Sequence, residues 1–207
     1  FDFAAAPMLV GQGILANAAD ETGAANIVTS VVLAYRGIDT LGELAILFAA
    51  ATAGGLVLGS RSGYGKREPR GGFILSHSAD LLFPLLLVVG FYIVLHGHLT
   101  PGGGFQGGVI LAAAFFIPLL ARPDRADHHG GLSLIEGLAG ASFIIIGLLS
   151  LLQGQAFLQP MLGKGELGQL LSAGTLPLLY LALGLKVGSE LAGLLININA
   201  VDAGEDA

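Results

Sequence analysis

The sequence predicts an all-α membrane protein with about five transmembrane helices and an amino-terminal interfacial arm. Of its 207 residues, 54% are hydrophobic and only 12% charged, about half the charged share of an ordinary soluble domain. The apolar residues gather into runs close to the roughly 20 positions that a hydrocarbon layer about 30 Å thick demands of a helix. Breaks rich in glycine, proline and charge separate the runs. Cysteine is absent, which removes disulfides, thiolate zinc sites, cysteine nucleophiles and cysteine-ligated iron–sulfur clusters together, so no cofactor is expected. The net charge of -6, partly from Asp202, Glu205 and Asp206, argues against nucleic acid as a partner.

Residues 1–40 are too mixed to span: FDFAAAPMLVGQG leads through the polar ANAADETGAAN to VTSVVLAYRGIDT. Positions 27–35 are apolar but short, which suits a helix lying at the interface or packed on the bundle. The first span is expected at 41–59, with Glu43 near its start. It closes an amino-terminal segment, 1–60. Next comes a basic loop, 61–74, carrying Arg61, Lys66, Arg67 and Arg70 among glycines and a proline, the composition of a membrane-surface loop. A four-helix unit, 75–199, and an acidic tail, 200–207, complete the chain.

Within that unit the second and third spans, 79–95 and 105–121, flank the string HGHLTPGGGFQGG, which includes His96 and His98. Pro101 fixes φ and lacks an N–H, while Gly102, Gly103 and Gly104 open backbone angles closed to other residues, so a hairpin or broken helix is expected. Gly103 with Gly107, and Gly104 with Gly108, are spaced for close helix packing in lipid. Gly102, Gly104 and Gly107 also satisfy G-x-G-x-x-G. The strand, the βαβ unit and the acidic residue about 20 positions on that a dinucleotide site needs are all missing. The fourth and fifth spans are expected at 132–152 and 175–198. Alternating orientation puts Arg61, Lys66, Arg67, Arg70, Arg122 and Arg125 on one side, against Arg36 and Lys164 on the other. The positive-inside rule makes the first side cytoplasmic. In a cell (inner) membrane the amino terminus then lies outside and the carboxy terminus in the cytoplasm.

Charge inside lipid is costly and marks functional candidates. Asp39 and Glu43 are four apart on one helix face. Like charges so placed repel, which suits a site that exchanges protons or coordinates a cation; a solvated helix start is the simpler alternative. Lys186 and Glu190, also four apart, lie near the middle of the fifth span, as a packing ion pair or a switchable pair on a proton path. Glu136 and Asp80 are expected as first-turn acids near helix N-termini. His77, His96, His98, His128 and His129 are not spaced as an established metal motif, so no metal is expected. No nucleophile elbow and no carboxylate pair in a soluble cleft supports hydrolysis.

Within residues 73–197, the string LLFPLLLVVGFYIVLHGHLTPGGGFQGGVILAA resembles the B subunit of Mrp-type multisubunit sodium/proton antiporters, a domain also found in membrane-bound hydrogenases. Residues 23–59, with GAANIVTSVVLAYRGIDTLGELAILFAA, resemble the small E-type membrane subunit of those hydrogenases and the carboxy-terminal region of the large antiporter A subunit. The resemblance implies an accessory subunit, not an enzyme by itself, that helps form a path for sodium ions and protons beside other membrane subunits in the bilayer. A purely structural scaffold is the alternative it leaves open. It places Glu43 in the motif DTLGE and Lys186 and Glu190 in LKVGSEL. Joining the two units in one chain departs from the arrangement in which they are commonly separate or attached to other partners.

Overall fold

The computed structural model describes residues 9–59, 72–122 and 129–205. Helix α1 is Leu9–Thr22, and α2, Ile27–Thr29, runs directly into a π-helical stretch, Ser30–Tyr35. The long helices are α3 (Gly37–Gly59), α4 (Phe73–Leu95), α5 (Gly104–Ala121), α6 (His129–Leu152) and α7 (Leu176–Glu205). Five stretches are long and apolar enough to cross a membrane: Gly37–Leu58, Phe73–Leu95, Gly104–Ala121, Gly131–Leu152 and Leu176–Ile198. They fall where the apolar runs put them, and the described residues contain no strand.

The helix limits depart from expectation in two ways. Helices α4 and α6 start at Phe73 and His129, six and three residues before the expected starts. Asp80 and Glu136 therefore sit about two turns inside their helices, and neither is the first-turn acid expected. Helix α7 runs on through residues 200–205 to Glu205. Residues 61–71 of the basic loop, with Arg125 and His128, lie outside the described residues.

Helix α7 is the axis of the bundle, with 67% of its spanning window buried against 6% for α3. The α4–α5 hairpin, α6 and α3 all pack on it. The hairpin contact is a glycine seam. A Cβ on Gly107 would lie 2.4 Å from Val94 Cγ2 and 2.8 Å from the Gly90 carbonyl oxygen, and one on Gly108 would lie 2.9 Å from the Gly184 carbonyl oxygen. Backbones come this close only where side chains are missing, so the four-residue spacing read from the sequence is a packing device. At the turn, Gly102 and Gly103 take φ of 149° and 138°, conformations that L side chains rarely adopt.

At the turn end of the bundle, the arm, the hairpin turn and the 153–175 connection fold together as a cap. Asn26 Nδ2 donates to the carbonyls of Gly97 (2.8 Å) and Thr100 (3.0 Å), and Thr29 Oγ1 donates to that of Gly97 (2.6 Å). Tyr180 of α7 donates to Thr29 Oγ1 at 2.8 Å. The 27–35 segment therefore packs on the bundle, with Thr29, Ser30 and Leu33 fully buried. Its π geometry is visible in Arg36 N, which donates five residues back to Val31 O. Tyr35, closing the stretch, donates to Glu21, and that hydrogen bond, aided by burial and by the Glu21 charge, pushes the phenol up to about 12. Lys164 Nζ ties the long connection to Asp20 O at 3.0 Å.

Candidate functional site

Lys186 lies ten residues along the span from Leu176, about 15 Å into it at 1.5 Å per residue. Its Nζ donates to Glu136 Oε1 at 2.7 Å and stands 2.9 Å from Glu190 Oε2. The ammonium also lies 4.7 Å from the Phe48 ring centroid, a cation–π distance that brings α3 into the site. Gly140 of α6 lies beside the lysine stem, where a Cβ would make ordinary contact, 3.6 Å from Cδ and Cε of Lys186. Three residues from three helices, Glu136, Glu190 and Phe48, thus converge on one ammonium.

The cluster is buried and imbalanced. Lys186 is 8% and Glu190 3% exposed. The lysine hydrogen bond is directed at Glu136, and both Glu190 oxygens lack a hydrogen bond despite the nearby ammonium. One positive and two negative formal charges leave a surplus of one negative charge. Desolvating that charge costs several kcal/mol.

The other expected site residues lie apart from it. Asp39 does not simply oppose Glu43, because its carboxylate accepts from Arg36 Nε at 2.5 Å. Glu43 is exposed on α3. Asp80 pairs with Arg122, which also donates to Ser76 O at 3.1 Å and so joins the ends of α4 and α5. His77 and His96 bond through Nδ1 to carbonyls one turn back, at 2.8 Å from Phe73 O and 3.0 Å from Tyr92 O. His98 is fully buried in the cap, with Nε2 3.4 Å from Gln169 O and Nδ1 unpartnered. Burial pushes its pKa down, the Gln169 and Leu170 backbone contacts oppose that, and the charge of His96 adds to it. Pro101, Gly102, Gly103, Gly104, Gly107 and Gly108 shape the turn and seam. Among the described residues no group of three or more His, Cys, Asp or Glu is placed to hold a metal ion.

Residues 74–193 match the domain related to the MnhB subunit of Na+/H+ antiporter. The chain belongs to this MnhB-related family. An uncharacterized protein of Methanocaldococcus jannaschii is 31% identical over 203 residues, spanning 82% of this MnhB-related chain and 74% of that protein. The B subunit of the Na(+)/H(+) antiporter of Bacillus subtilis is 32% identical over 105 residues, 45% of this chain and 73% of the Bacillus protein. Among solved structures, a chain of the membrane-bound sulfane sulfur reductase, an archaeal respiratory membrane complex, superposes with a TM-score of 0.81. That match has 40% identity and covers 96% of this chain and 88% of that one. A chain of the Mrp complex from Dietzia sp. shares the fold at TM-score 0.75 and 24% identity, covering 93% of this chain and 23% of that chain.

Proposed function

We propose that this MnhB-related chain is an accessory, non-catalytic membrane subunit of a multisubunit cation/proton-translocating complex, and that the Glu136, Lys186 and Glu190 cluster is its contribution to the ion path. The observation that carries this is the surplus negative charge at Glu190, buried in a helix that crosses the bilayer. A proton arriving on Glu190 leaves Lys186 paired with Glu136 alone; its departure draws the ammonium back between the two carboxylates. Such a shift moves charge within the membrane without moving a helix. Phe48 limits how far the ammonium can stray.

The same reading takes the segment before residue 60 as related to the E-type subunit or the antiporter A-subunit carboxy-terminal region. The support is that the Dietzia chain contains nearly all of this fold within 23% of its own length. Glu43 is a second ion-handling position, on the exposed face of α3. The cap faces outward and the Arg122 end faces the cytoplasm, following the bias of basic residues. Sodium ions and protons are the transported species, and any redox chemistry driving them belongs to other chains.

Purification of the native membrane complex, with mass spectrometry of every chain, tests the subunit reading. Other antiporter-like membrane subunits are expected in stoichiometric amount; robust antiport in vesicles holding this chain alone would overturn it. Glu43→Gln is expected to leave assembly intact and to lower coupled transport at matched complex abundance. Unchanged coupling returns Glu43 to a solvated helix start, and failed assembly assigns it to the scaffold.

A further inference from the structure

His98 is a titratable group inside the cap that the ion path leaves unused. Its side chain is fully buried, and its main chain and its ring hold different segments: Asn26 N donates to the His98 carbonyl at 3.0 Å, and the ring Nε2 stands 3.4 Å from Gln169 O. The residue therefore joins the arm, the α4–α5 turn and the 153–175 connection. A carbonyl can only accept, so the proton of the neutral ring sits on Nε2, and Nδ1 is the bare nitrogen. Nδ1 has no hydrogen-bond partner.

A second proton on the ring goes to Nδ1, where it creates a charge and an unmatched donor in the same enclosed place. Both are costly away from water. Ser172 Oγ and Thr175 Oγ1, also buried on the connection, make no bond to it. Among the described residues no acid is placed to offset the charge. On the arm stand Asp20 and Glu21, of which Glu21 accepts from Tyr35, and past the arm Asp39 is paired with Arg36. On the connection, Glu166 accepts from Gln169 Nε2 and Lys164 donates to Asp20 O; on α7, Tyr180 donates to Thr29. His96, on the turn itself, is the neighbour whose charge bears on His98, and it opposes a further positive charge.

We propose that His98 is an acid-sensitive latch: protonation at Nδ1 drives the ring out of the cap toward water, and the arm and the 153–175 connection part from the turn. The Gly97 carbonyl, which accepts from both Asn26 and Thr29, is released in the same step. What the latch holds is α3. Thr40 Oγ1, near the start of that helix, donates to Val32 O of the arm at 2.6 Å, and α3 packs chiefly on α7 and on the π-helical stretch of the arm. A loosened arm leaves α7 as the support of the helix that carries Phe48 to Lys186.

Amide hydrogen exchange of the chain in its native membrane complex, corrected for the pH dependence of intrinsic exchange, tests the latch. Peptides covering 22–30 and 164–175 are expected to lose protection about tenfold between about pH 7.5 and 5.5, as one proton linked to opening requires, while a peptide from the middle of α5 holds its protection. His96→Gln should keep the dependence and His98→Gln should abolish it. Equal protection at the two pH values in the unaltered chain, a matching loss in α5, or the same loss in His98→Gln would each overturn the proposal. If His98→Gln leaves the cap unprotected at every pH, slow exchange at the imidazole C2 carbon of the unaltered chain decides instead. Titration of His98 that tracks the loss of amide protection supports the latch, and a separate midpoint overturns it.

Discussion

Tyr180 and Lys186 stand six residues apart on α7, yet their surroundings are opposite in kind. Around Tyr180 the groups are neutral and matched: its hydroxyl donates to Thr29 Oγ1, which donates to the Gly97 carbonyl, which also accepts from Asn26. Around Lys186 the groups are charged and unequal, and Glu190 is left without a hydrogen bond. Each neutral link contributes about 1 kcal/mol and fixes one arrangement of arm, turn and α7. In the function proposed above, the ammonium shared between two carboxylates moves from one to the other. The first region defines where the helices stand; the second is, on that proposal, the part between them that moves.

The contrast breaks most visibly at the lysine. Lys186→Met strands two carboxylates in the membrane, and loss of one partner of a buried ion pair costs about 3–5 kcal/mol. The assembled complex should fall sharply in yield and thermal stability. Adding Glu136→Gln and Glu190→Gln to that variant should recover assembly without transport. Failure of the triple variant to assemble would make the cluster a packing element like the cap.

Tyr180→Phe removes a single neutral hydrogen bond and should lower stability by about 1 kcal/mol, read as a fall in Tm, while transport per assembled complex stays the same. A loss of coupling in this variant would erase the division between the two regions.

The smallest effect concerns His98. Burial holds its folded-state pKa below the ordinary histidine value of about 6.5. Below that pH the unfolded chain takes up a proton that the folded chain resists, so stability is full above about pH 6.5 and declines as pH falls toward the folded pKa. A thermal melt across mildly acid pH should show this slope, and His98→Gln should flatten it.

Much of the architecture was legible because hydropathy alone dictates five spans, and because Pro101 with three glycines admits little but a turn. The glycine seam was legible too, since a four-residue spacing is a local property. Glu136 was not. Its partner is 50 residues away, across a connection whose course no periodicity reveals, and α6 begins early enough to disguise a third-turn acid as a first-turn one. Asp80 on α4 and Arg122, just past the end of α5, escaped for the same reason. The pairing of Asp39 was hidden because α3 starts at Gly37, which brings Arg36 within reach of its carboxylate. Nothing in the sequence marks Leu158 or Ala173 for the left-handed conformations, φ 64° and 66°, that shape the long connection.

Glu190→Gln tests most directly the view that the cluster works rather than merely packs. Glutamine keeps the shape, removes the ionisable group and leaves Lys186 with Glu136 as its sole counter-ion. Coupled ion transport should be measured in vesicles at matched complex abundance, beside Tyr180→Phe. The expected result is intact assembly and collapsed coupling for Glu190→Gln, against a lowered Tm and normal coupling for Tyr180→Phe. Normal coupling in Glu190→Gln would contradict the assignment and leave the three charges as a structural ion pair with a spare acid.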